Sequence, residues 1–139
     1  EFWKNHLGLW SNTGYRPEDK FRFVFGIGNN EPFKVTYKSQ ALSDPTLLQA
    51  LNAEGDGISA LTRNAVASLL NSKSNFNFPI TEENIVISFY QAFLSKNYES
   101  AKDIFSQVND LNCPYVINQN ESSDKDKPSQ KTDAETLQK

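Results

Sequence analysis

The stretch ISALTRNAVASLLNS, residues 58–72, carries the clearest structural signal in the chain. Arg63 lies in its middle, beside the apolar positions, and a half-buried guanidinium there needs a carboxylate or several carbonyl groups as partners. The apolar residues recur at the three- and four-residue spacing of a buried helix face: Ile58, Leu61, Ala65, Val66, Leu69 and Leu70. We therefore predict a helix that places this face in the core.

Three further helices are predicted around this one. Asp44 and Pro45 are typical of a helix start, because the aspartate can cap the helix and proline tolerates its first turn. The predicted helix then continues over residues 46–54. Thr81, followed by two glutamates, predicts the cap of the next helix. The last helix is expected to start near Asn97 and to stop before a Cys-Pro pair.

Residues 11–43 give mixed signals. The segment KFRFVFGIG, residues 20–28, alternates phenylalanines with other side chains, as a strand does. The four residues just before it, 16–19, instead resemble a helix start. FKVTYKS, residues 33–39, also alternates, so a two-stranded ribbon linked through residues 28–32 is one interpretation. Helix and strand both stay open for this region.

The predicted fold is mainly α: a compact bundle of about four to five helices with an aromatic-rich amino-terminal arm and a short β-ribbon. Residues 1–117 form the predicted helical module. Residues 118–139 are so polar that they cannot bury enough surface to offset their chain entropy, which predicts a flexible tail or linker. Asn120 begins an Asn-Glu-Ser sequon and is a candidate glycosylation site.

Composition excludes several classes of protein. The chain has 139 residues and a formal net charge of −3, from 14 basic and 17 acidic residues, which argues against nucleic acid as a partner. It contains no apolar run long enough to span a membrane. It also contains no methionine, so we expect it to be a piece of a longer protein.

The opening segment FWKNHLGLW, residues 2–10, is the strongest candidate for a functional site. Read as a helix, it places both tryptophans and His6 on one stripe. The first interpretation is packing, with tryptophan anchors and a hydrogen-bonded core histidine. The second is a ligand groove walled by Trp3, Trp10 and Tyr15, since aromatic rings beside polar donors hold sugars or cations. The candidate ligand-binding residues are Trp3, Lys4, His6, Trp10, Tyr15 and Arg63.

A third interpretation, an enzyme that uses His6 with a carboxylate, has less support. A histidine base needs a nucleophile and an orienting group, and the sequence lacks a motif that supplies them. One histidine and one cysteine do not make an ordinary zinc site. The sequence therefore predicts no metal and no cofactor, and the chain is not expected to be an enzyme.

Three motifs combine into a family resemblance: WKNH at residues 3–6, ALTRNAVASLLNS at residues 60–72 and LNCP at residues 111–114. In this order they resemble a small helical module of secreted and surface-anchored proteins of bacteria and archaea, over roughly residues 2–115. That module opens on Trp-Lys-(Asn/Thr)-His and closes on Cys-Pro. This chain departs from it at Asn64, where a second histidine is usual, and at Asn112, where glycine is usual.

The resemblance implies that Cys113 pairs with a cysteine upstream of this chain, which fits an oxidising environment. It also implies an extracellular or cell-surface location. The predicted function is a non-catalytic structural or interaction module of a larger surface or secreted protein. Its expected partners are other domains of that protein, other surface proteins and glycans. A carbohydrate- or small-ligand-binding domain that uses the aromatic arm is the first alternative, and an enzyme is the second.

Overall fold

The computed structural model describes residues 2–111. Over these residues the prediction of a mainly helical bundle with a small antiparallel ribbon is confirmed. No helix in this part of the chain combines the length and the apolar composition that a bilayer span requires. In chain order the elements are two 3₁₀ turns (Trp3–Asn5 and Leu7–Asn12), α1 (Phe21–Phe25), β1 (Val35–Tyr37), β2 (Gln40–Leu42), α2 (Leu47–Leu51), α3 (Ile58–Ser74), α4 (Glu82–Ser95) and α5 (Tyr98–Leu111).

Helix α3 is the centre of the fold. It packs against α2, α4, α5, β1 and the second 3₁₀ turn, so neighbours enclose it on several sides. For this reason its burial extends beyond the predicted apolar face to four polar residues: Ser59, Thr62, Ser68 and Asn71. The helix was correctly predicted, and the structure adds that several of its polar positions also lie in the core.

Helix α2 starts at a different cap from the predicted one. Thr46 is the cap, and it forms a reciprocal pair with Gln49, whose backbone N–H donates to the threonine hydroxyl at 3.1 Å. The Gln49 side chain in turn accepts from the Thr46 backbone N–H at 3.0 Å. The predicted start at Asp44 and Pro45 is therefore wrong, because the Pro45 carbonyl accepts from the Phe21 N–H instead.

The starts of α4 and α5 agree with the sequence. Thr81 caps α4 as predicted, with its hydroxyl accepting the Asn84 backbone N–H at 3.2 Å. Lys96 has a left-handed backbone that ends α4, and α5 begins two residues later. The short connection makes α4 and α5 antiparallel neighbours, which pack on α3 together.

The sequence left helix and strand open for residues 20–28, and the structure shows a helix there, since Phe21–Phe25 is α1. Phe21 and Phe25 are four residues apart and stack with ring centroids 4.3 Å apart in the core. Phe23 lies between them in sequence and is 89% exposed. An alternating Phe-x-Phe-x-Phe pattern therefore fits a short helix as well as a strand.

The ribbon is present, but one of its predicted strands was misplaced. β1 pairs in antiparallel fashion with β2, which follows it, and the register places Val35 opposite Leu42 and Tyr37 opposite Gln40. The connection is the two residues between Tyr37 and Gln40, not residues 28–32. Residues 26–34 instead form an irregular loop that joins α1 to the ribbon.

Arg22 holds this loop in place. Its guanidinium donates to the carbonyl groups of Gly28, Glu31 and Phe33, the last two at 2.9 and 3.1 Å, and its Nε donates to the Ser43 carbonyl. These carbonyl groups lie outside regular secondary structure, so no helix or sheet ladder holds them in place. One side chain on α1 thus fixes the loop and the end of the ribbon.

A chain of side-chain amides attaches the amino-terminal arm to the helices. The buried Trp3 indole N–H donates to the Asn71 Oδ1 at 2.8 Å, and the Asn71 amide donates to Asn109 on α5 at 3.0 Å. The Trp10 indole N–H donates to the Trp3 carbonyl at 3.0 Å. The predicted packing role of the two tryptophans is therefore confirmed. The predicted single helix over residues 2–10 is wrong, since two 3₁₀ turns meet at His6.

We predict that Asn71→Leu lowers the free energy of unfolding by about 2–3 kcal/mol, because it leaves the buried Trp3 indole N–H without its partner and removes the bond from Asn71 to Asn109. Denaturant unfolding followed by tryptophan fluorescence measures this change. Phe76→Ala is the control, since Phe76 is fully exposed and its loss should not change stability. Equal midpoints for Asn71→Leu and the wild type would contradict the role assigned to the network.

Candidate functional site

The described residues form a cleft of about 640 Å³, within the size range of small-molecule sites. Four parts of the fold meet there: the first 3₁₀ turn, the end of β1 with its turn, the end of α2 with the loop after it, and the middle of α3. The cleft is lined by Lys4, Tyr37, Lys38, Leu51, Asn52, Ala53, Glu54, Arg63, Asn64 and Ala67.

The cleft is basic although the protein is acidic. Among the described residues of its lining, Lys4, Lys38 and Arg63 are three cations and Glu54 is the one carboxylate. The whole chain has a formal net charge of −3. Cations collected in a concavity with low-dielectric walls raise the local concentration of anions. The arrangement is suited to binding an anion.

Arg63 is anchored by backbone carbonyl groups, as its position in the sequence predicted. Its Nη1 donates to the Ala53 carbonyl at 3.2 Å and to the Gly55 carbonyl at 2.6 Å. These bonds tie the loop after α2 to α3. Within residues 2–111 both bonds use one guanidinium nitrogen, so the other N–H groups are donors that a ligand in the cleft can use.

The loop after α2 also contacts the ribbon. The Glu54 backbone N–H donates to the Thr36 carbonyl at 2.8 Å, and the Glu54 carboxylate accepts the Ser39 backbone N–H at 3.3 Å. From α3, the Ser59 hydroxyl accepts the Thr36 backbone N–H at 3.0 Å. The ribbon, the loop and α3 therefore hold one another, which fixes the shape of the cleft.

The aromatic groove predicted from the sequence is not formed by these residues. Trp3 and Trp10 are buried, and both indole N–H groups bond within the protein. Tyr15 is half-buried, and its hydroxyl donates to the Glu82 carboxylate. The rings of the arm are covered by packing, so none of the three belongs to the described lining of the cleft.

His6 also lies elsewhere than predicted. The side chain is exposed and stacks on the Phe2 ring, with centroids 4.1 Å apart, and its Nδ1 lies 2.8 Å from the Phe2 carbonyl oxygen. The interpretation of His6 as a core histidine is therefore wrong. The reason is the change from an α-helix to two 3₁₀ turns, which rotates residue 6 away from the stripe that carries the tryptophans.

Of the six candidate ligand residues, the structure brings Lys4 and Arg63 into one cleft. Sequence reasoning missed Tyr37, Lys38 and Asn64. The sequence signal that could have found Lys38 is its position near the end of the strand pattern FKVTYKS. A turn that follows a strand leaves such a side chain exposed beside the next elements of the fold. Cys113 and Asn120 lie outside the described residues. Within residues 2–111, no group of three acidic, histidine or cysteine side chains is placed to hold a metal ion.

The fold and the cleft define a small, mainly helical domain with a basic cleft. The model of the protodermal factor 1 C-terminal domain, a plant family, matches residues 1–113, and the chain belongs to this family. Comparison with curated proteins and with solved structures gave no match.

The family match overturns the resemblance to a bacterial and archaeal surface module. The motifs behind that resemblance are short, and the structure explains why they misled. Trp3 and the alanine and leucine residues of α3 belong to one hydrophobic core, and an indole that packs on a helix needs small and apolar residues there in any protein. Such needs recur in unrelated families. The pairing of Cys113 with an upstream cysteine was implied only by this resemblance, so it no longer has support.

Tyr15 and Tyr90 each donate a hydroxyl hydrogen bond to a carboxylate, Glu82 and Glu31 respectively. Burial, followed by the bond to Glu82, raises the pKa of Tyr15 above its usual value. The bond to Glu31, followed by burial, raises the pKa of Tyr90. Both tyrosines are thus held in their neutral form by the fold, because ionisation would place two negative charges side by side.

We predict that Tyr15 and Tyr90 ionise later than an unfolded tyrosine. Since the folded pKa is the higher one, their contribution to stability is full below about pH 10 and is lost as the pH rises through the folded pKa. Tyrosinate absorbance, followed during an alkaline titration, measures this directly. Tyr15→Phe should reduce the late phase. A late phase that persists in full in Tyr15→Phe would contradict the assignment.

Proposed function

We propose that this chain is a non-catalytic binding and interaction module that holds a polar, anionic ligand in the basic cleft. The observation that carries the proposal is the convergence of Lys4, Lys38 and Arg63, from three separate parts of the fold, on one concavity. In a chain of net charge −3, this local excess of cations attracts anions that the remaining surface repels.

The lining indicates the chemistry of the ligand. Lysine and arginine donate charge-assisted hydrogen bonds to carboxylates and phosphates, and arginine can bind either group through two parallel bonds. Asn52 and Asn64 add neutral hydrogen-bonding groups beside these cations. The ligand class is therefore an oligocarboxylate or an oligophosphate that fits a cleft of about 640 Å³.

The alternative function, a carbohydrate-binding domain, was first placed in the aromatic arm, and we now place it in the cleft. The indole rings of Trp3 and Trp10 are buried, whereas Tyr37 contributes an aromatic ring to the cleft lining. A sugar that carries carboxylates falls within the proposed ligand class, and a neutral sugar does not.

The proposal is for a non-catalytic role, and it rests on what the lining offers a ligand: three cations and two carboxamides among the described residues.

Isothermal titration calorimetry with citrate and pyrophosphate tests this function. Citrate stands for the carboxylates, pyrophosphate stands for the phosphates, and glucose is the neutral probe. We predict that at least one anion binds and that glucose does not. Affinity should fall as sodium chloride rises from about 0.05 to about 0.5 M, because salt screens the cations of an open cleft.

Two variants link this binding to the cleft. Lys4→Gln and Arg63→Gln should each weaken anion binding by about tenfold, equivalent to about 1.4 kcal/mol. Lys34→Gln is the matched control, because Lys34 is exposed, carries the same charge and does not belong to the described lining. The proposal fails if no anion binds the wild type, or if the control weakens binding as much as the cleft variants do.

The extracellular or cell-surface location, with other domains or surface proteins as partners, belongs to the same proposal. The Asn120 sequon supports it, because this sequence is an acceptor only for proteins that enter the secretory route. The family resemblance that first suggested this location no longer supports it.

We predict that the full-length protein, tagged and expressed in plant cells, is recovered outside the plasma membrane. Fractionation of the cell wall and medium against the cell interior measures the location. Glycosidase treatment, with Asn120→Gln as control, tests modification of the sequon separately. Retention of the tagged protein in the cytosol would overturn the proposed location, whatever the result for Asn120.

A further inference from the structure

The turn between β1 and β2 is built from residues that do not favour its conformation. Lys38 and Ser39 connect the paired residues Tyr37 and Gln40, and both have a positive φ, of +49° and +66°. Two-residue hairpin turns with positive φ at both positions favour Asn-Gly, because other side chains crowd the backbone there. A Lys-Ser pair in this place is strained, and strain of this kind is concentrated at functional sites.

The strained turn lies at the edge of the basic cleft. Lys38 lines the cleft, and its ammonium lies 5.4 Å from the centroid of the Tyr37 ring. Glu54, which also lines the cleft, accepts the Ser39 backbone N–H. The bond to Glu54 therefore holds the turn beside the cleft, and the left-handed backbone at Lys38 places this lysine in the cleft lining.

We propose that Lys38 is the specificity-determining residue of the cleft: the left-handed turn presents its ammonium to an additional anionic group of the ligand, and stability is lost in exchange for this placement. The inference rests on the proposed function. Lys4 and Arg63 lie on the first 3₁₀ turn and on α3, so they supply the common anion-binding part of the site. Lys38 then distinguishes a multiply charged ligand from one with fewer charges.

Two alternatives show why the cation is at position 38: a turn made of the preferred residues, and a lysine at another position nearby. Asn-Gly in the turn would relieve the strain but would remove the ammonium from the cleft. Lys34, which lies in the loop just before β1, is not part of the described lining. A cation at this point therefore requires a lysine or arginine in a position where glycine or asparagine would be more stable.

The test measures the thermal midpoint of each variant. It also measures, by calorimetry, the affinity of each variant for citrate, which has three carboxylates, and for succinate, which has two. Lys38→Gly relieves the strain and removes the cation, so the midpoint should rise by a few degrees and citrate affinity should fall about tenfold. The preference for citrate over succinate should fall by the same factor. Ser39→Gly is the matched control: it should raise the midpoint and leave both affinities within about twofold of the wild type.

The outcomes separate this inference from the proposed function. If Lys38→Gly keeps the wild-type preference for citrate while Arg63→Gln loses binding, the cleft binds anions but Lys38 does not set its specificity. If Lys38→Gly lowers the thermal midpoint, the turn is not strained and the inference is overturned on that ground. If the wild type binds neither citrate nor succinate nor pyrophosphate, the proposed function itself fails.

Discussion

The structure depends on the hydrogen bonds that Asn71 makes inside the core. Asn71 is 3% exposed, accepts from the Trp3 indole and donates to Asn109 on α5. Asn109 also accepts from the Ser68 hydroxyl and donates to the Asn64 carbonyl. A buried polar group without a partner costs free energy, so the bonds of this network favour the arrangement that pairs Asn71 with Trp3 and Asn109. The arm, α3 and α5 consequently have one relative arrangement in which all of them are satisfied.

The same constraint assembles the candidate site. Lys4 follows Trp3 directly, so the bond between Trp3 and Asn71 also fixes where the backbone of Lys4 lies. Arg63 is on the helix that carries Asn71, eight positions earlier in the chain. The cleft therefore acquires two of its cations only after the arm has packed on α3. The cleft follows from tertiary packing, since no single segment of the chain contains its lining.

Some elements could be predicted because their signals are local. Thr81 and the two glutamates after it cap α4 with groups contained within one turn of helix, and no distant residue changes that result. Asp44 carried a similar signal and failed, because the Pro45 carbonyl pairs with the Phe21 N–H and the helix starts only at Thr46. A cap signal holds when the backbone around it is not already engaged by another segment.

The sequence by itself determined the mainly helical class and the central helix, because apolar spacing decides these, and it indicated that Arg63 needs polar partners there. Tertiary structure decided three other features: the helical state of Phe21–Phe25, the exposure of His6, and the meeting of Lys4, Lys38 and Arg63 in one cleft. Each of these depends on partners distant in the chain. Spacing along a sequence describes one element at a time, whereas a site between elements exists only once they have packed.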